Sequence, residues 1–369
     1  MNILFLTHQG GIAGSTQSIF YLAKGLAKRG HKVYVGCKKE SLLYKLLQPS
    51  PAIAVPMPFK HKADWKTMRQ ITQLVRSEHI EIINAQSGID RYITILGKIL
   101  FRFNALVIHT RRQTGKQNYS LTTWLQSRFT AKIVAVSRGV KQKLIELGLP
   151  SDHIVVIHNG TPAEKYQLKN PNHTEDLRKI HHLSHNDIVI GCVSRYKQQE
   201  QLLLALEHIT RPMTLILVGV DEREQYKLIR KRISPPHRII YTGRLKPEEI
   251  LYYYPLFDVK VLPSVTEGLS QSLLESMAMG VPVIATRAAG NADLIDHEKN
   301  GLLFESKDTR ELADYILRFL DDPNLRKKCI TNAKKTALQD FSIERTIDRY
   351  EQFFRELIQR NGVSHYDGA

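Results

Sequence analysis

This chain of 369 residues is short of long apolar runs, of cysteine and, beside its 53 lysines and arginines, of acidic residues. No stretch reaches the roughly 18 consecutive apolar residues that a membrane-spanning helix needs. The apolar start, Met1–Thr7, has no basic segment before it and runs at once into a glycine loop. It therefore reads as a first strand rather than a secretory leader. Three cysteines, Cys37, Cys192 and Cys329, lie too far apart for metal-ligand spacing and cannot all pair. A disulfide scaffold is excluded, and a reducing, cytoplasmic compartment is the expectation. Acidic residues are scarce in one half only. Residues 1–160 carry 7 of them against 23 lysines and arginines, whereas the remainder carries 29 against 30. Such asymmetry implies two domains with different partners, the first drawn to anions: an acidic substrate, an anionic membrane leaflet or nucleic acid. Nucleic-acid strand binders interleave aromatic platforms with their cations, and none is evident here, so nucleic acid is not expected.

What is present is the rhythm of an α/β protein. The apolar run Asn2–Thr7 leads into His8-Gln9-Gly10-Gly11-Ile12-Ala13-Gly14. A helical period follows from Thr16 to Lys28 and stops at Gly30, and His31–Cys37 is a second apolar strand. Strand, loop, helix and strand in that order make a right-handed βαβ unit and hence a parallel sheet. Strands recur at Ile80–Ala85, Ala105–His109, Lys132–Val136 and Ile154–His158. A polar stretch over 162–186 breaks the rhythm and reads as a linker. Afterwards Asp187–Val193, Thr214–Val218, Arg238–Thr242, Asp258–Leu262 and Val281–Ala285 are strands, with helices at Gln201–Ile209 and Leu269–Met279. The spacing predicts two doubly wound domains, 1–161 and 187–344, with ligands outside the carboxyl ends of their strands and in the cleft between the two.

The segment Leu262–Thr286, LPSVTEGLSQSLLESMAMGVPVIAT, carries the most chemistry. A strand ends, Pro263-Ser264 turns the chain, and a helix starts near Gly268 or Leu269. Unpaired N–H groups at that start suit a phosphate. Glu267 precedes the helix, and Glu275 lies eight residues on, among Leu273, Leu274 and Met277. A carboxylate in so apolar a helix needs a partner. A sugar hydroxyl pair would serve; otherwise each glutamate is a solvated or salt-bridged surface residue. Gly10, Gly11 and Gly14 read either as a phosphate-facing loop or as a tight turn. His109 ends an apolar strand, and His181-His182-x-x-His185 has no carboxylate or cysteine support for a metal.

Glu267-x7-Glu275, followed by Gly280-Val281-Pro282-Val283-Ile284-Ala285-Thr286, resembles the family 4 retaining glycosyltransferases of the two-Rossmann GT-B class. So do Ile133–Lys143, Ile154–Gly160, Tyr241–Leu262 and Asn300–Phe304, in the same order along nearly the whole chain. The resemblance implies an α/β GT-B fold of two Rossmann-like domains facing across a central cleft, the last helix, about 345–360, packing back on the first. It implies a nucleotide-diphosphate sugar as donor, bound by the second domain, and transfer with retention. Glu275 would hold the ribose, Glu267 the donor sugar beside the reacting carbon, and Arg195 the diphosphate. The family's lysine about five residues after that arginine is absent here: either the loop is shortened and Lys197 substitutes, which is the expectation, or one phosphate contact is missing. Gly10, Gly11 and Gly14 would face the diphosphate, as would the backbone of Gly268, Leu269 and Ser270, and His109 would lie near the donor sugar. The Asp-x-Asp motif of the other large transferase fold class is lacking, so neither metal nor cofactor is implied.

The expected acceptor is a glycan or lipid-linked glycan, as in lipopolysaccharide-core or other cell-envelope synthesis. The enzyme would then be peripheral at the inner face of the cytoplasmic membrane. Thr94–Phe103, basic and amphipathic, with Arg111, Arg112 and Lys116 following, would rest on an anionic leaflet or else pack as a core helix with a solvated side. Two other readings stay open: a different sugar-nucleotide enzyme such as a 2-epimerase, and a non-catalytic anion- or membrane-binding module.

Overall fold

Residues 1–112, 119–170, 172–233, 237–288 and 290–362 are described by the computed structural model of the protein. The chain divides into two compact units. One is Met1–Thr161 together with the segment from Ser342 onward, and the other is Pro162–Phe341.

The first unit is a parallel sheet of β1 (Asn2–Leu6), β2 (Lys32–Cys37), β3 (Ile53–Pro56), β4 (Ile82–Ala85), β5 (Leu106–Arg111), β6 (Lys132–Ala135) and β7 (Ile154–Val156). Their order is β3-β2-β1-β4-β5-β6-β7. Ile3 and Phe5 pack on one face with Ile19, Leu22 and Leu26 of the helix Gly14–Lys28. Leu4 and Leu6 pack on the other with Met68, Ile71 and Ile93. Both faces being covered, these strands are unbroken apolar runs rather than alternating ones. The edge strand β3 is not among the strands the pattern predicts. It is short, closes on a proline, and leaves Ile53 about half exposed at 47%, so it has no buried run to read.

The helix Ile343–Arg360 also belongs to this unit. Its Ile347, Tyr350 and Phe354 join the core of the helix Gly14–Lys28. Gly25 lets the two helices touch, because a Cβ there would stand 2.1 Å from Ile347 Cδ1. Ser342 caps the helix, and Thr346 Oγ1 donates to the His158 carbonyl at 2.9 Å.

The second unit holds β8 (Val189–Val193), β9 (Thr214–Val218), β10 (Arg238–Tyr241), β11 (Val259–Leu262), β12 (Val283–Thr286) and β13 (Leu302–Phe304). They are parallel in the order β10-β9-β8-β11-β12-β13. The stretch 162–186, expected as a linker, folds into this unit. It carries the helix Asn172–Ile180, whose one buried residue, Leu177, packs with Leu183, Tyr253 and Tyr254. A single apolar anchor gives no helical period in the sequence, which is why the stretch reads as polar linker.

In both sheets the order reverses at the first strand: β1 lies between β2 and β4, and β8 between β9 and β11. The loops leaving the carboxyl ends of such neighbours diverge and open a crevice for ligands. Among the described residues, no helix is long and apolar enough to cross a membrane.

Candidate active site

In the second unit the crevice lies between the loop 194–199 after β8 and the loop 263–270 after β11. The two are tied together. Gln198 Oε1 accepts from the Val265 N–H at 3.1 Å, and Gln201 Nε2 donates to the Pro263 carbonyl at 3.1 Å. Gln199, wholly buried, shapes the first loop. Its amide nitrogen donates to Ser194 Oγ and the Arg195 carbonyl, while its oxygen accepts from the Lys197 N–H and the Tyr226 hydroxyl. The second loop is held by Asn291, donating to the Ser264 carbonyl at 3.0 Å, and by the Gly290 N–H on the Glu267 carbonyl at 3.3 Å.

The helix after this loop runs Gln271–Ala278, with Ser270 as its cap accepting from the Leu273 N–H at 3.4 Å. It thus starts two residues later than the apolar pattern suggests, because Leu269 is part of the loop. It ends at Gly280, whose φ of +78° turns the chain so that the Val281 N–H reaches the Ser276 carbonyl. Gly268 and Ser270 are buried and Leu269 half-buried.

Both glutamates stand here, and each has a lysine. Glu275 Oε1 is 2.6 Å from Lys165 Nζ, and its Oε2 accepts from the Tyr254 hydroxyl at 2.7 Å. Burial first, then the charge of Glu275, push the Tyr254 hydroxyl well above its ordinary pKa, so it remains a donor. Glu267 Oε1 is 2.5 Å from Lys197 Nζ. The two carboxylates are only 13% and 11% exposed, and burial of that degree demands such partners. Arg195 is exposed at the rim and has no side-chain partner among the described residues.

Two lysines of this cluster escape sequence reading. Lys165 comes from the supposed linker, and nothing local announces a contact 110 residues away. Lys260 did leave a signal, a lone cation inside the apolar strand VKVL. It is wholly buried, and its Nζ donates to Ser272 Oγ at 3.3 Å. Burial pulls its pKa from the ordinary lysine value down to about 8, against the opposing influence of Cys192, Glu267 and Glu275.

The first unit has its own crevice between β1 and β4. Gly10 is required there by packing, since a Cβ would meet Ser41 Cβ at 2.7 Å. Gly11 is exposed and a Cβ there would meet nothing within 4 Å; Gly14 is exposed and opens a helix. None of the three has a positive φ. Beside them His8 Nδ1 lies 2.9 Å from Asp90 Oδ1 and 2.8 Å from Ser87 Oγ. Asp90 is fully buried and also accepts from the Gln86 and Ser87 N–H groups at 2.8 and 2.7 Å. Burial would raise its pKa, yet the hydrogen bonds from His8 and Ser87 prevail and hold it below the usual value. The partly exposed His8 is the oriented imidazole at this crevice, and sequence reading passed over it for His109.

His109 needs correction. β5 continues to Arg111, because Thr110 and Arg111 are buried as well, so His109 lies inside the sheet rather than at its end. Its ring is 0% exposed and neither nitrogen has a hydrogen-bond partner among the described residues. Burial, then Arg91 and Arg111, hold its pKa well below the ordinary histidine value. Arg111 and Arg112 likewise turn inward: Arg111 is buried and Arg112 Nη1 donates to Gln86 Oε1 at 2.6 Å. Lys116 lies outside the described residues. Of the histidine cluster, His181 Nε2 pairs with the Tyr253 hydroxyl at 3.1 Å, and among the described residues no group of three or more His, Cys, Asp or Glu could hold a metal.

The chain is similar to known sugar transferases. Residues 12–165 match the family Glycosyltransferase Family 4, and residues 173–336 match the family Glycosyl transferases group 1. The N-acetyl-alpha-D-glucosaminyl L-malate synthase of Bacillus anthracis is 25% identical over 62% of the chain, and the match spans 61% of that relative's length. The UDP-Gal:alpha-D-GlcNAc-diphosphoundecaprenol alpha-1,3-galactosyltransferase of Escherichia coli is 24% identical over 80% of each chain. Among solved structures, Anabaena Alr3699/HepE in complex with UDP-glucose superimposes with a TM-score of 0.79 at 22% identity, covering 96% of this chain and 100% of that one. With two all-parallel sheets, this likeness makes the fold GT-B.

Proposed function

The chain belongs to the group 1 and family 4 glycosyltransferases, and on that premise we propose that it moves a sugar, with retention, from a nucleotide-diphosphate donor to a glycan or lipid-linked acceptor of the cell envelope. The observation that carries the reading is the pair Glu267 and Glu275 at the switch point of the second unit, each buried against a lysine beside the start of one helix. Glu275 would exchange its lysine and tyrosine contacts for the ribose hydroxyls. Glu267 would lie by the donor sugar, with Lys197 close enough to serve the phosphates. Arg195, exposed and without a side-chain partner among the described residues, suits bidentate contact with the diphosphate. As the bond between the anomeric carbon and the diphosphate oxygen breaks, negative charge grows on that oxygen, and the surrounding cations stabilise it. The acceptor oxygen bonds the same carbon from the same face and passes its proton to the departing oxygen. No step calls for a metal.

The Escherichia coli relative, named for a diphosphoundecaprenol substrate, supports a lipid-linked acceptor. A surface of the first unit supports work at an anionic membrane face. Ile99 and Leu100 at the end of the helix Gly88–Phe101 are exposed, as is Trp65, whose ring lies 4.9 Å from Phe101 and under Arg69. The first turns of that helix bury Ile93, Thr94 and Ile95, so only its last turn is free to meet lipid. Vesicles containing phosphatidylglycerol should float the protein at low salt, and the double substitution Trp65→Ala, Leu100→Ala should reduce flotation. Equal flotation of the double variant would remove this surface from the reading.

The donor reading is tested by thermal denaturation with UDP, GDP, ADP and CMP. A nucleotide at 100 times its Kd should stabilise the wild type by about 2.7 kcal/mol. The increment should vanish in Glu275→Ala and shrink in Glu275→Gln. The increment, not the starting midpoint, is the readout, because removing Glu275 also strips Lys165 and Tyr254 of their partner. A wild type unmoved by every nucleotide would refute the donor site.

A further inference from the structure

A buried ammonium needs strong partners, and Lys260 has few. It lies on β11, in register with Gly191 of β8, at the point where the strand order reverses. Of its three N–H donors the structure assigns one, a 3.3 Å bond to Ser272 Oγ. Both carboxylates that act on its charge, Glu267 and Glu275, are in direct contact with other lysines. Lys165, Lys197, Lys260 and Arg195 against two glutamates leave this cluster with an excess of two positive charges. Ser272, half-buried in the first turn of the helix Gln271–Ala278, receives the Lys260 bond and lies 3.3 Å from the capping Ser270 Oγ. Accepting from an ammonium leaves the Ser272 hydroxyl free to donate outward.

We propose that Lys260 is a positioning residue for the donor's diphosphate, fixing the Ser272 hydroxyl as a donor and placing a buried positive charge behind the helix start. The inference rests on the donor-site reading and deepens it. Phosphate neutralises the excess charge of the cluster, and Lys260 supplies part of that attraction without itself reaching solvent.

The test uses isothermal titration of the full chain with inorganic pyrophosphate, with the diphosphate that wild type binds, and with the matching nucleoside. Lys260→Met should weaken pyrophosphate and diphosphate binding tenfold or more at pH 7 and change nucleoside binding less than twofold. Ser272→Ala should weaken the same two ligands, and the double variant should lose less than the product of the single losses. Wild-type affinity for the diphosphate should fall between pH 7 and 9.5, where the ligand's own phosphates are already ionised, and Lys260→Met should lack that fall. The other groups acting on Lys260 are Cys192, Glu267, Glu275 and Lys197, and the Met variant leaves all of them in place. Lys260→Gln provides a second variant should the first fold poorly. Wild-type affinity and pH profile in both Lys260 variants would overturn the proposal while leaving the donor reading intact. A wild type that binds neither pyrophosphate nor any nucleotide would overturn both.

Discussion

Gly290→Ala should abolish transfer, lowering kcat/KM by a hundredfold or more, and should destabilise the second unit by about 3 kcal/mol. The reason is contact, not backbone angle. A Cβ at Gly290 would stand 1.9 Å from the Gly268 carbonyl oxygen and 3.0 Å from that of Glu267. Both are backbone atoms, and no side-chain rotation can relieve the clash. The loop 263–270 must lift or Gly290 must retreat, and either movement breaks the 3.3 Å bond between the Gly290 N–H and the Glu267 carbonyl. Glu267 then shifts from Lys197, and the helix start with Ser270 shifts with it. Gly11→Ala is the matched control, since a Cβ there meets nothing within 4 Å; its midpoint should lie within about 0.5 kcal/mol of wild type. Gly290→Ala with a wild-type midpoint and an unchanged nucleotide increment would show that this glycine does not hold the loop.

That glycine illustrates what a sequence can and cannot disclose. The strands of both sheets are readable because parallel strands covered on two sides must be apolar throughout, as Ile3–Leu6 and Val189–Val193 are. Glu267 and Glu275 stand out through the family resemblance of the segment around them, because two acids on their own read as readily as solvated or salt-bridged surface residues. Their partners are not readable. Lys165 pairs with Glu275 across 110 positions and Lys197 with Glu267 across 70, and pairings of that span leave no periodic trace. His109 misled for a related reason. The apolar pattern of its strand stops at the histidine because Thr110 and Arg111 are polar, yet both are buried and the strand continues through them. The imidazole that Asp90 orients, His8, sits in a loop whose glycines draw the eye first.

Lys260→Met should raise the stability of the unliganded protein at pH 7, by up to about 3.5 kcal/mol, although it weakens phosphate binding. Burial lowers the Lys260 pKa from 10.5 in the open chain to about 8 in the fold. At about 1.4 kcal/mol per unit, that difference is the cost of keeping the ammonium charged inside the sheet. Its dependence on pH has a definite sign. Below about pH 8 both folded and unfolded chains hold the proton, and the full penalty stands. Between about 8 and 10.5 the unfolded chain binds more protons than the folded one, so wild-type stability rises with pH. The advantage of Lys260→Met should therefore be greatest near pH 7 and shrink steadily toward pH 10, measured as the difference between the two Tm values in matched buffers. Methionine has nearly the length of lysine and fits an apolar layer with Leu262, Leu273 and Met277, so loss of packing should not mask the gain. A variant less stable than wild type across that range would mean that Lys260 holds the fold together rather than being tolerated for its charge. A gain in stability combined with a loss of diphosphate affinity would locate in one side chain a trade of stability for function, the expected signature of a buried charge kept for a ligand.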